Sequence, residues 1–389
     1  MKYLLTTFLS LLRAGAFAQP FAIGHSSLTF IDSARSNRQV PVEVYYPAAT
    51  AGNDVPVIAG QYPLISFGHG FVMDWTAYDN VWQALVPQGY IMVFPTTESG
   101  FAPVHADFAA DLYFAVKKMQ RLSAFDASSL FFGHAAVTSA VMGHSMGGGS
   151  AFLAVAGDTG ITTMVTLAAA NTNPSSITAA GTVTIPSLVI AGANDCVAPP
   201  ASNQLPMYDS LASSCKAYFE IVNGGHCFFA NNNINCSFGE GTCMPIQAIT
   251  RAEQQDAAQD VMLLWLDHFL KDDQQAWQSL QDTATVSQRY TASVSCMSPA
   301  AVRYASVPQP LSAYPNPTTG IVVLSLKYIS KDYKGIEVYN SAGSVQQVKI
   351  GERVASDELM IDMSGFAAGI YYCRLQTAKD ILWMKLTKL

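Results

Sequence analysis

Ser139-Ala140-Val141-Met142-Gly143-His144-Ser145-Met146-Gly147-Gly148-Gly149-Ser150-Ala151-Phe152 is the stretch on which the fold turns. A short apolar run reads as a strand, the glycine-flanked serine as a tight turn, and the small-residue run after it as the start of a helix. In that context G-x-S-x-G lifts a serine hydroxyl clear of the sheet and aims the next backbone N–H at an oxyanion. Ser145 is therefore the candidate nucleophile and Met146 the candidate donor of that N–H.

Outward from the turn, apolar runs at 63–67, 90–94, 163–167, 187–190 and 217–221 suit strands buried on both faces. Between them, Phe108, Leu112, Ala115, Met119 and Leu122 step by four and three, as a helix face does. The alternation predicts an α/β fold, a largely parallel sheet flanked by helices, with residues 40–46 as an antiparallel edge addition.

A serine nucleophile needs a base and an orienting acid, which in this topology follow it in the order acid, then histidine. Asp195 ends Ala191-Gly192-Ala193-Asn194-Asp195 just after one strand run, and His226 ends Asn223-Gly224-Gly225-His226 just after the next. The carboxylate would hold the neutral imidazole in one tautomer and stabilise the imidazolium formed when Ser145 loses its proton. Asp158 and Asp209 do not closely follow a strand. His25, His105 and His134 precede the serine, His268 shares helical spacing with Val261, Leu264 and Trp265, and His144 occupies the variable position of the turn, where packing is the expected role. In Gly68-His69-Gly70-Phe71, after the run at 63–67, Phe71 would give the second oxyanion N–H and its ring would line the acyl pocket.

Of 389 residues, 50% are hydrophobic and 13% charged, with net charge −7, so the basic footprint that nucleic acid or anionic lipid requires is missing. Met1-Lys2, an apolar run over 3–12 and Ala16-Phe17-Ala18 read as a signal peptide over residues 1–18, too short to span a bilayer. With nothing of 18 or more apolar residues after it, no stable membrane insertion is expected. Seven cysteines in an exported chain favour disulfides over a metal site, and an odd number leaves one over.

Residues 283–310 have linker composition, ending in Val307-Pro308-Gln309-Pro310 and dividing a catalytic region at 19–282 from a tail at 311–389. The tail holds nine basic and seven acidic residues, against twelve and twenty-one before it. Its alternating runs and turn residues predict a small all-β sandwich.

Two resemblances follow from these residues. The tail resembles the C-terminal type A sorting domain of type IX secretion, through Ala313-Tyr314-Pro315-Asn316-Pro317-Thr318-Thr319-Gly320, Tyr339-Asn340-Ser341-Ala342-Gly343 and Gly369-Ile370-Tyr371-Tyr372. This implies export to the cell surface or outside, with the type IX machinery as partner. The region 19–282 resembles the α/β-hydrolase fold and, within it, the cutinase-like polyester hydrolases that include those acting on poly(ethylene terephthalate). The blocks are Gly143 to Gly149, Pro206-Met207-Tyr208-Asp209-Ser210-Leu211, Lys216-Ala217-Tyr218-Phe219-Glu220 leading to His226, and Trp265-Leu266-Asp267-His268-Phe269-Leu270-Lys271-Asp272.

The resemblance implies an ester or polyester substrate, an acyl-enzyme formed on Ser145 with Asp195 and His226, and an oxyanion hole from Phe71 and Met146, with no cofactor or metal. Phe71 stands where those enzymes usually carry tyrosine, and no tryptophan follows Leu167-Ala168-Ala169-Ala170-Asn171. Gly68-His69-Gly70-Phe71 looks more like the lipase and chlorophyllase branches, an alternative that keeps the ester and changes its size. A surface binding module on a disused fold is the reading from another class. If Asp195 and His226 touch, Cys196 and Cys227 are expected to pair beside them, and Cys236 and Cys243 to close the Asn-rich loop.

Overall fold

Strands whose every residue is buried need helices on both sides, and that requirement sets the architecture. The structure is a computed structural model that describes residues 20–157, 160–241, 243–244, 248–296, 312–326, 333–340, 344–350, 358–377 and 381–389. It divides into two compact units after Ser298. The segment 1–18 read as a signal peptide lies outside the described residues, as does Asp158.

In chain order the first unit contains β1 (Ala22–Asp32), β2 (Arg38–Ala48), β3 (Gly52–Asn53), β4 (Tyr62–Gly68), α1 (Asp79–Leu85), β5 (Ile91–Pro95), α2 (His105–Phe125), β6 (Ala135–His144), α3 (Met146–Val155), β7 (Thr163–Leu167), α4 (Ser176–Ala180), β8 (Ser187–Gly192), α5 (Gln204–Ser210), β9 (Cys215–Ile221), α6 (Ile234–Glu240), α7 (Arg251–Lys271), α8 (Gln274–Val286) and β10 (Tyr290–Cys296). The strands form one sheet in the order β10-β9-β8-β7-β6-β4-β5-β2-β1-β3. The run from β9 to β5 is parallel, with antiparallel additions at both ends.

Side chains of the parallel strands alternate between two cores, as a period of two demands. Leu64, Val93 and Val141 face α2 and α3, while Ile65, Met92 and Met142 face α1 and α7. The helix read from Phe108 to Leu122 is α2, and α7 opens on a capping box of Thr250 and Glu253. The α/β expectation is met. Residues 40–46 fall in β2, antiparallel as expected, but β1 and β3 lie outside it, so β2 is not the edge.

Because β4 leads to β5 on one side and β5 returns to β6 on the other, the carboxyl ends of β4 and β6 bound the crevice where open sheets of this kind take ligands. Gly68 and Gly143 are register partners there.

Two expectations need correction. The stretch from 283, read as the start of a linker, instead completes α8 and forms β10, which pairs with β9 through Tyr290↔Ile221 to Cys296↔Cys215. Its polar alternation belongs to an edge strand with one face in solvent. The cysteines also pair differently, as Cys196–Cys243, Cys215–Cys296 and Cys227–Cys236. The reason is α6, which folds against both loops at once. Gly239 lies near the Val197 side chain, and Glu240 accepts from the N–H of His226. Each loop cysteine therefore meets one from the α6 segment before it can meet the other.

The second unit contains β11 (Ser312–Tyr314), β12 (Ile321–Ser325), β13 (Tyr333–Asn340), β14 (Val345–Gln346), β15 (Lys349–Ile350), β16 (Glu358–Asp362), β17 (Gly369–Thr377) and β18 (Ile381–Lys388). Two four-stranded sheets, β11-β12-β16-β15 and β14-β13-β17-β18, enclose Val322, Leu324, Val338, Ile361, Leu375 and Leu386. Alternating burial along β12 and β16 is the sandwich pattern. Cys373, the seventh cysteine, is buried here without a disulfide, and burial pushes its thiol up to about 12.

The disulfides span very different lengths of chain, 81 residues for Cys215–Cys296 and 9 for Cys227–Cys236. By loop-closure entropy, replacing the first pair with serine is expected to lower the unfolding free energy by about 4.5 kcal/mol and the second by roughly 2.5 kcal/mol. Guanidinium unfolding curves of the two double variants check the order. Equal losses would contradict it.

Candidate active site

Ser145 is the single residue between the end of β6 and the start of α3, with φ 55° and ψ −119°. For a residue with a Cβ this conformation persists only when its surroundings over-determine it. They do so through three backbone bonds: its N–H donates to the Leu167 carbonyl (3.0 Å), and its carbonyl accepts from Gly149 (3.0 Å) and Ala170 (2.9 Å). The neighbouring glycines serve close approach. A Cβ on Gly147 would lie 2.1 Å from the Gly68 carbonyl oxygen, and one on Gly143 2.4 Å from the carbonyl group of Gly147. Strand, helix and the loop after β4 thus touch backbone to backbone.

Asp195 follows β8 and is buried, with both carboxylate oxygens engaged. Oδ1 accepts from the N–H of Val197 (2.9 Å) and Ala198 (2.8 Å), and Oδ2 lies 2.7 Å from His226 Nδ1. A carboxylate can only accept, so Nδ1 carries a proton, and in the neutral ring the lone pair is on Nε2. His226 follows β9 in a loop pressed against the Asp195 loop. Asn194 N–H donates to the Gly224 carbonyl at 2.7 Å, and a Cβ on Gly192 would meet the Gly224 and Gly225 carbonyl oxygens at 2.7 Å.

Several groups that hold this histidine were not read from the sequence. Gln254 of α7, fully buried, accepts from Gly225 N–H (2.8 Å) and donates to its carbonyl (2.7 Å). Glu240 Oε1 accepts from the N–H of His226 (2.6 Å) and of Cys227 (3.2 Å). His144, expected only to pack, uses both ring nitrogens: Nε2 donates to the His226 carbonyl at 3.0 Å, and Nδ1 lies 2.9 Å from the Tyr78 hydroxyl. Its ring centroid is 4.8 Å from that of His226. Among the described residues the Ser145 hydroxyl makes no hydrogen bond to the His226 ring.

Met146 is buried at the first position of α3, and Phe71 is 49% exposed in the loop after β4. That loop is fixed by Gly70 N–H donating to Tyr78 Oη (2.8 Å) and Asn235 Nδ2 donating to the Val72 carbonyl (2.7 Å). Burial lowers the pKa of His69 and, strongly, that of His144, where the nearby His226 adds to the effect, so both rings are neutral at ordinary pH. His268 is a surface residue of α7 stacked on Trp277, and Asp209 lies on α5. Among the described residues no three His, Cys, Asp or Glu side chains could together hold a metal ion.

Over 101 residues the chain is 37% identical to a cutinase of Thermobifida alba, and over 102 residues 36% identical to cutinases of Thermobifida cellulosilytica and Thermobifida fusca. Each stretch is 26% of this chain and 32%, 37% and 32% of those proteins, so the chain spans about a third of their length. Residues 312–388 match the secretion system C-terminal sorting domain, an address for type IX secretion to the cell surface or outside. Residues 20–293 match the PET hydrolase-like family, and they contain the serine turn on β6, the buried carboxylate after β8 and its imidazole partner after β9. On that match, which takes in more than half its length, the chain belongs to the PET hydrolase-like family.

Proposed function

We propose that this chain is a secreted carboxylic-ester hydrolase in which Ser145 is the nucleophile, His226 the general base and acid, and Asp195 the group that orients the imidazole. The observation that carries the reading is the buried 2.7 Å hydrogen bond from His226 Nδ1 to Asp195, together with the 4.8 Å between the rings of His226 and of His144, the residue before a serine held at positive φ between a parallel strand and a helix.

In this reading Ser145 Oγ attacks the ester carbonyl carbon while His226 Nε2 takes its proton. The oxyanion is met by the N–H groups of Met146 and Phe71. Its collapse breaks the bond to the alcohol oxygen, which leaves with the proton from the imidazolium. Water then repeats both steps on the acyl-enzyme and releases the acid. The 19–282 region with its continuation to β10 would be the catalytic unit, and 311–389 the part recognised by the type IX machinery.

For the substrate, the family and the relatives named cutinases support a polyester, and the surface fits an apolar chain. Phe71, Val197, Ile234 and Phe238 are 49%, 43%, 84% and 88% exposed on the segments that hold the site. A lipase-like or chlorophyllase-like preference is the second reading, favoured by Phe71 in a position where polyester hydrolases carry tyrosine. Soluble acid released from amorphous poly(ethylene terephthalate) film, compared with fatty acid from a triglyceride emulsion, ranks the two.

Ser145→Ala is expected to lower kcat on a short p-nitrophenyl ester by about 10⁴-fold or more while the melting temperature stays near that of the parent. Activity that survives this change would overturn the serine assignment. Asp195→Asn should lower kcat on the order of 10³- to 10⁴-fold, because an amide can donate to Nδ1 and move the ring proton to Nε2, where the base must be free. Stopped-flow release of p-nitrophenol measures both.

A further inference from the structure

One series of hydrogen bonds links the loop after β4, the serine turn and the His226 loop without passing through a side chain assigned to the reaction. Gly70 N–H donates to Tyr78 Oη at 2.8 Å, Tyr78 Oη lies 2.9 Å from His144 Nδ1, and His144 Nε2 lies 3.0 Å from the His226 carbonyl oxygen. Both ends fix the direction. A backbone N–H can only donate, so the tyrosine oxygen accepts from Gly70. A backbone carbonyl can only accept, so His144 carries its proton on Nε2 and keeps a lone pair on Nδ1. The tyrosine proton therefore goes to Nδ1, the other neighbour within reach being the weak acceptor Met73 Sδ at 3.4 Å.

Tyr78 and His144 are both fully buried, so water cannot replace either bond. Each contact stands next to a group of the reaction: Gly70 precedes Phe71, His144 precedes Ser145, and the last carbonyl belongs to His226 itself. The glycine at 70 leaves the space that the series occupies, since a Cβ there would lie 3.2 Å from Tyr78 Oη and 3.4 Å from His144 Nδ1.

We propose that Tyr78 is a positioning residue for ester hydrolysis, setting the oxyanion loop against the serine turn and, through His144, fixing the His226 loop. It rests on the assignment of Ser145, His226 and the Phe71 N–H made above. A lost oxyanion donor costs on the order of 10²- to 10³-fold in kcat, and a shift of about 1 Å in a reacting group about 10²-fold, so a loosened loop is read in turnover.

Tyr78→Phe removes the hydroxyl and keeps the ring that packs on Phe67. On a short p-nitrophenyl ester, kcat of the full chain should fall by about 10- to 10²-fold with KM within about threefold of the parent. His144→Gln can accept at one atom and donate from another, and its kcat should exceed that of His144→Leu by about fivefold or more. This pair decides if Tyr78→Phe does not fold. A Tyr78→Phe kcat within twofold of the parent, a loss confined to KM, or equal Gln and Leu variants would overturn the proposal. Full activity in Ser145→Ala would instead defeat the underlying assignment. An inactive parent would do the same, and then the downfield His226 Nδ1–H proton resonance decides: it should shift in Tyr78→Phe, and an unmoved resonance overturns the positioning role.

Discussion

The hydrogen bond between Asp195 and His226 places the heaviest demand on this fold, because it buries a carboxylate that must be satisfied on both oxygens. One oxygen takes two backbone N–H groups from the turn at Val197 and Ala198, which fixes the carboxylate before the imidazole meets the other. The ring must then arrive from a separate strand at one distance and angle. Gly192 and Gly224 let the two loops meet with no side chain between them, and Gln254 and Glu240 bind the backbone of the histidine loop.

The sheet makes this possible by ending its parallel strands at one rim. Reversal of strand order between β4 and β6 opens a crevice there, and the serine turn fills one side of it. Close packing of Gly68, Gly143 and Gly147 brings the loop after β4 to the start of α3. α6 adds a covalent frame, since disulfides from its segment attach to the residues directly after Asp195 and His226. Thiol oxidation outside the cell suits such a frame, and the C-terminal sorting domain directs the chain there. That second unit has a core of its own.

The sequence by itself determined what is periodic or local. Continuous apolar runs fixed the buried strands, steps of three and four fixed α2, and G-x-S-x-G between strand and helix located Ser145 because the glycines report a close approach that any such turn requires. That Asp195 and His226 each follow one of two neighbouring strands was legible, and the structure brings the two side chains to 2.7 Å. Tertiary structure alone decided what depends on distant segments meeting in space. Glu240 and Tyr78 carry no local signal, since a carboxylate or phenol comes to accept from a distant loop only when a backbone N–H of that loop lies against it. Cysteine pairing failed for the same reason: contact of Asp195 with His226 suggested that Cys196 and Cys227 beside them would join, leaving Cys236 to Cys243, whereas the α6 segment supplied a partner to each. The polar alternation at 290–296 read as linker because an edge strand exposes one face, and only pairing with β9 distinguishes the two.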